Sequence, residues 1–281
     1  MSRLLTGHSA RTIATKLIGQ WSLWRVLRLF LLAYGTLCVY GWFFSNQQMF
    51  FPQPASYGEA DISLRLPVAE DRKIAVLSLP NPEAKLTILY SHGNAEDLGD
   101  IRPKLERIGE SGYSVVAYDY AGYGLSDGEP GERRTYREIE AVYRYVVEEL
   151  EVPPGQIVVY GRSIGGGPSL YLASREPVGG LIVESSFVSA FRVLTRVPLV
   201  PFDKFPNLAR MKQVSVPVLI MHGEQDGVIP LWHGQKLYEA APEPKQALWV
   251  EAAGHNDFIE VAGDRFDQAL KAFAELVIEA S

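Results

Sequence analysis

The chain has a single cysteine, Cys38, in 281 residues. That excludes an intramolecular disulfide, a cysteine-based zinc site and, outside the apolar run that holds it, a cysteine nucleophile. Acid is missing from the first 44 residues, which carry Arg3, Arg11, Lys16, Arg25 and Arg28. The remaining residues hold 22 basic and 33 acidic side chains, a net charge of −11. An acidic body without a basic stripe argues against nucleic acid as a partner. There is no Walker motif, no His-Glu-x-x-His pattern, no internal repeat and no low-complexity tract. The segment Gly122–Gly128 comes near a dinucleotide fingerprint. Its spacing is one residue too long and no strand–helix phosphate turn accompanies it, so it reads as a structural turn.

Charge is also missing from residues 29–44, which are strongly apolar. Extended back to Val26, the run reaches 19 residues, with Arg28 able to snorkel, which is enough to span a bilayer. Tyr34, Tyr40 and Trp42 are candidate interfacial anchors. A cleaved signal peptide is the main rival, with weak small-residue sites at Ala33-Tyr34-Gly35 and Val39-Tyr40-Gly41. Cleavage at the first would leave a very apolar new terminus, which favours retention. Apolar residues occur all round the segment, which disfavours a helix lying in the interface. Five cations precede it and none follows until Arg65. The positive-inside rule then puts the N-terminus in the cytoplasm and the body across the membrane, in a periplasmic, extracellular or lumenal space.

In the body, Gly161-Arg162-Ser163-Ile164-Gly165 follows the apolar run 156–160 and precedes a helix-like stretch, Pro168 to Arg175. A nucleophilic serine has to leave the backbone on a strained strand-to-helix turn, and glycines two residues either side remove β-carbons that would collide there. Two later apolar strands end in polar loops that hold Asp226 and His255. The order Ser163, Asp226, His255 is that of a catalytic triad on an α/β-hydrolase fold. Imidazole takes the serine proton, and the carboxylate fixes its tautomer and stabilises the imidazolium.

Rivals for these roles are weaker. His8 and His233 read as solvated, and His92 and His222 as structural residues at strand ends. Asp257 is too close in sequence to His255 to orient its ring. Glu96, Asp97 and Asp100 read as a solvated loop and helix start rather than a metal site. The oxyanion donors are expected to be the backbone amides of Ile164 and Asn94, the latter in the loop after the strand Lys85–Ser91. Backbone donors make side-chain identity at both positions secondary.

Strand and helix patterns alternate from about residue 61 to a final helix near 264–279, which predicts a mainly parallel sheet with helices on both faces. Among the helices, 138–150 places Ile139, Val142, Tyr143, Val146, Val147 and Leu150 on one face. The expected domains are a basic segment (1–25), a transmembrane anchor (26–44), an extended linker (45–60) and the catalytic domain (61–281). Some thirty residues between the strands at Leu181 and Val216 form a short cap insert. Phe191 and Leu194 within it are candidates for an apolar wall along an acyl chain.

Five segments, at 91–99, 118–126, 160–165, 222–229 and 248–257, resemble the α/β-hydrolase domain-containing protein 17 family, eukaryotic depalmitoylases, and related membrane-anchored hydrolases. The resemblance covers about residues 85–275 and implies ester or thioester substrates with long acyl chains, a lipid or an acylated protein among them. One departure matters: those proteins attach through acylated cysteines near the N-terminus, where this chain has a spanning segment. The reading is a membrane-anchored serine esterase or thioesterase that works through an acyl-enzyme and needs no cofactor or metal. A serine peptidase and a non-catalytic, membrane-tethered binding protein are the alternatives.

Overall fold

The computed structural model describes residues 23–280, so His8 and most of the basic segment lie outside the described residues. The chain divides after Ser45. Helix α1, Leu23–Met49, makes up the described part of the first unit and contributes its last residues, from Asn46 on, to the second. It is longer than the expected 26–44 at both ends. Among the described residues it is the one helix long and apolar enough to cross a membrane. At 1.5 Å per residue its 27 residues extend about 40 Å, against about 30 Å of bilayer hydrocarbon.

The second unit is built on eight strands: β1 (Leu64–Ala69), β2 (Arg72–Leu79), β3 (Thr87–Ser91), β4 (Ser114–Tyr118), β5 (Ile157–Arg162), β6 (Gly180–Glu184), β7 (Val218–Gly223) and β8 (Lys245–Val250). They form one sheet in the order β1-β2-β4-β3-β5-β6-β7-β8. The β1–β2 and β2–β4 pairs are antiparallel, and every later pair is parallel. Helices α2 (Arg102–Glu110), α3 (Glu132–Arg144), α4 (Gly166–Ala173), α5 (Ala190–Leu194), α6 (Asn207–Met211), α7 (Trp232–Ala240), α8 (Phe258–Ala262) and α9 (Asp264–Ala280) complete the fold.

The parallel strands β3, β5, β6 and β7 are buried along their whole length, which is why they read as unbroken apolar runs. Alternation within each strand feeds two separate cores. Ile157 and Val159 of β5, with Val218 and Ile220 of β7, face one. Val158 and Tyr160, with Leu219 and Met221, face the other. Parallel strands deliver all their C-terminal ends to one edge, where functional loops collect.

α3 differs from its expected span. It begins at Glu132, six residues early, and ends in a π-turn over Tyr145–Glu149. Ile139, Val142 and Val146 are fully buried, but Leu150 is 37% exposed. Each residue of the wider turn rotates by less than about 100°, so the phase falls behind a strict 3.6-residue period, which assigns Leu150 to the wrong face.

Residues after α1 are not a free linker. Ser56 donates from its backbone N–H and its hydroxyl to the Asp97 carboxylate, and the Tyr57 hydroxyl donates to Asp119 Oδ2 at 2.5 Å.

Candidate active site

Ser163 leaves β5 with φ +52°, in the left-handed region where a residue bearing a β-carbon is strained. The turn closes because its flanking positions are glycine. A β-carbon on Gly165 would overlap the carbonyl oxygens of Ser91 and His92, and one on Gly161 would overlap the Gly165 carbonyl. The elbow is therefore packed directly against the end of β3. A single 3₁₀ turn, Ser163–Gly165, carries the chain into α4.

The loops after β7 and β8 bring two more side chains to the serine. His255 Nε2 lies 3.1 Å from Ser163 Oγ, and His255 Nδ1 lies 2.7 Å from Asp226 Oδ2. A proton on Nδ1 facing the carboxylate leaves the Nε2 lone pair directed at the serine hydroxyl. Asp226 also accepts the backbone N–H groups of Val228 and Ile229 at 2.9 and 2.7 Å. Burial pushes its carboxyl up, but the hydrogen bond and charge of His255, with those two amides, outweigh burial and hold it below the usual carboxylate range. Asp257 accepts the Gly254 N–H at 2.7 Å and so shapes the loop that presents His255.

Of the two expected oxyanion donors, Ile164 is in the first turn after the elbow, where amides have no intrahelical acceptor. The Asn94 N–H donates to no other group among the described residues. Asn94 follows β3 and precedes Ala95, which has φ +58°. Its side chain is far from secondary: Oδ1 and Nδ2 together make four hydrogen bonds.

Phe191 packs its ring edge-on against Phe202, with centroids 5.9 Å apart. Leu194 ends α5 and is 89% exposed, while Val197 and Leu199 after it are also exposed. The insert is an open apolar lip rather than a closed cap.

Sequence reasoning missed Arg162, the residue before the nucleophile. Its guanidinium donates to Glu96 Oε2, to the His255 carbonyl and to Asn256 Oδ1, each at 2.9 Å, and lies 3.4 Å from Glu184. One side chain thus joins the elbow, the histidine loop and the loop after β3. Burial pushes the Glu184 carboxyl up, but Lys104 and Arg162 outweigh it and hold the group ionised. The signal available was an arginine inside an otherwise apolar strand end, which requires buried acids nearby.

Other expectations are corrected. His233 is not solvated: it is fully buried, stacks on Trp232 and accepts the Val188 N–H at 3.2 Å. Burial lowers its pKa to about 4. The loop 96–100 is not simply solvated either, since Glu96 pairs with Arg162 and Asp97 is buried. His92 and His222 have the structural places expected of them. His222 Nε2 donates to the Ile229 carbonyl at 2.8 Å, and His92 Nδ1 to the Gly93 carbonyl at 2.7 Å. The bare Nε2 of His92 faces Asp119 Oδ1 at 3.4 Å. Burial first, and the nearby Asp97 and Asp100, push the Asp119 carboxyl up to about 8.

Comparison with known proteins places the chain in a family and a fold. Residues 82–201 match the family described as serine aminopeptidase, S33. The chain is 39% identical over 196 residues to human α/β-hydrolase domain-containing protein 17B, covering 69% of this chain and 67% of that protein. It is also 39% identical over 190 residues to α/β-hydrolase domain-containing protein aho-3 of Caenorhabditis elegans, covering 66% of this chain and 57% of aho-3. Among solved structures, the Pyrococcus furiosus esterase Pf2001 superposes with TM-score 0.67 at 17% identity, over 81% of this chain and 98% of that one. Est1E of Butyrivibrio proteoclasticus, solved with ferulic acid bound, gives 0.64 at 19%, over 77% and 100%. These structures share the fold, and the sequence relatives define the family. With its strand order, its serine elbow and its identity to these relatives, the chain belongs to the α/β-hydrolase domain-containing protein 17 family of hydrolases.

Proposed function

We propose that this protein is a membrane-anchored serine hydrolase that cleaves carboxylic ester or thioester bonds of acyl substrates. The observation that carries the reading is the hydrogen-bonded line Ser163 Oγ, His255 Nε2, His255 Nδ1, Asp226 Oδ2. In that arrangement Ser163 attacks the substrate carbonyl while His255 takes its proton. Asp226 holds the ring in the required tautomer and stabilises the imidazolium. The amides of Asn94 and Ile164 receive the oxyanion. Collapse expels the alcohol or thiol, with His255 returning the proton, and leaves an acyl-enzyme. Water, activated by the same histidine, then releases the acid. The exposed apolar lip of α5, with Phe191 behind it, would run beside the acyl chain. Helix α1 supplies the anchor, and the cations before it and in its N-terminal turns set the sidedness.

Peptide bond cleavage is the second reading, favoured by the match to a family described as serine aminopeptidase. The test compares p-nitrophenyl esters of rising chain length, an acyl thioester and aminoacyl p-nitroanilides, with wild type and Ser163→Ala. Ester or thioester turnover that vanishes in the variant is expected. Turnover of the anilides alone would replace the esterase reading with the peptidase one.

A further inference from the structure

The chain that leaves α1 is fastened to the loop expected to receive the oxyanion. Asn94 Nδ2 donates to the Met49 carbonyl at 2.9 Å, and Asn94 Oδ1 accepts the Phe51 N–H at 2.9 Å. The same oxygen accepts the Tyr123 hydroxyl at 2.6 Å and the Ala95 N–H at 3.0 Å. Three donors converge on the oxygen and a carbonyl faces the nitrogen, so only one orientation of the amide fits. Tyr123 is buried, burial pushes its phenol up, and the hydroxyl also accepts the Phe51 N–H at 3.0 Å. Its proton is therefore committed to Asn94.

The attachment extends on both sides. Phe50 is 4% exposed and packs against Phe205, with centroids 6.2 Å apart, while Asn46 Oδ1 accepts from Lys204 Nζ at 3.2 Å. The Asn94 backbone amide, by contrast, donates to no other group among the described residues. An unassigned donor has a useful position only if something else fixes the peptide that carries it, and here the side chain of the same residue does so.

We infer that Asn94 is a positioning residue through its side chain. By clamping Met49–Phe51 to the loop after β3, it makes the chain leaving α1 a structural part of the oxyanion site and sets where the Asn94 N–H points. The inference rests on the serine-hydrolase reading above. It predicts that damage to the clamp weakens transition-state binding and leaves ground-state binding alone.

The test uses the full-length protein in detergent with Asn94→Ala, the isosteric Asn94→Asp and Tyr123→Phe. Each is read for kcat and KM on a short soluble ester, for affinity towards an alkyl boronic acid that forms a tetrahedral adduct on Ser163, and for Tm. Asn94→Ala is expected to lower kcat by about 10- to 100-fold, less than the roughly 100- to 1000-fold loss of a whole oxyanion donor, because the amide is displaced rather than removed. KM should stay within about twofold, and boronate affinity should fall in parallel with kcat. Asn94→Asp keeps the acceptor but turns an oxygen on the Met49 carbonyl, so it should fall between Asn94→Ala and wild type. Tyr123→Phe should lose a few-fold. A folded Asn94→Ala or Asn94→Asp protein with wild-type kcat overturns the inference, as does a fall in kcat with unchanged boronate affinity. Wild-type protein that neither turns over the ester nor binds the boronate overturns the hydrolase reading itself, and this inference with it.

Discussion

Arg162 shows how much of the site depends on a residue that touches no reacting atom. Its side chain is 9% exposed, and its guanidinium faces Glu96 and Glu184. Its removal leaves buried carboxylates short of a counter-charge and frees the histidine loop, a loss of about 3–5 kcal/mol. Arg162→Ala should therefore lower Tm by roughly 5–15 °C and reduce turnover as His255 loses its support. Arg162→Lys should recover only part of both, because an ammonium cannot reach three acceptors as a planar fork does. Thermal denaturation beside ester kinetics checks both. Asp119 gives a pH prediction. Its carboxyl holds a proton up to about pH 8 in the fold but ionises near 3.8 when unfolded. Between those values the folded state binds the extra proton, so this group's contribution to stability falls as pH rises. Asp119→Asn should then gain in stability relative to wild type from pH 5 to 8.5, as read by denaturant midpoints. A constant difference would assign Asp119 an ordinary pKa. At this scale the meeting of Ser163, Asp226 and His255 was legible because each follows an apolar strand that breaks into a polar turn. Arg162 and His233 were not, because a polar side chain gives no sign in sequence of the buried partner that satisfies it.

Whole elements were more legible than their ends. The parallel strands stood out as apolar runs because both faces of the sheet are covered, and the alternation of strand and helix was enough for the fold class. Strand order is not written in that alternation, and the adjacency of β4 to β2 and β3 emerges only from the assembled sheet. The C-terminal end of α3 was misread for a local reason, the π-turn at Tyr145–Glu149, which breaks the periodicity used to assign its faces. The insert after β6 is the element with the most open role. α5 presents Leu194 to solvent, so Leu194→Ser should leave Tm almost unchanged. If the lip contacts an acyl chain, the same substitution should lower kcat/KM on long-chain esters by about tenfold while sparing short ones. An unchanged chain-length profile would remove α5 from the substrate path.

For the whole molecule, the proposed function joins one apolar helix to a catalytic unit. α1 has the length for a span, and Arg25 and Arg28 lie towards its N-terminal end. The protein should stay with the membrane in alkaline carbonate. In sealed vesicles whose cytoplasmic face is inside, external protease should remove the catalytic unit. Its protection until detergent is added would reverse the proposed sidedness. The central claim concerns the serine, and the most direct measurement is the site of a fluorophosphonate adduct. Full-length protein is labelled, digested and sequenced by mass spectrometry, with Ser163→Ala and His255→Ala alongside. The account predicts one phosphonylated residue, Ser163, with labelling abolished in Ser163→Ala and slowed by about a thousandfold or more without the histidine. Folded wild-type protein that takes no label, or takes it at another residue, would contradict it.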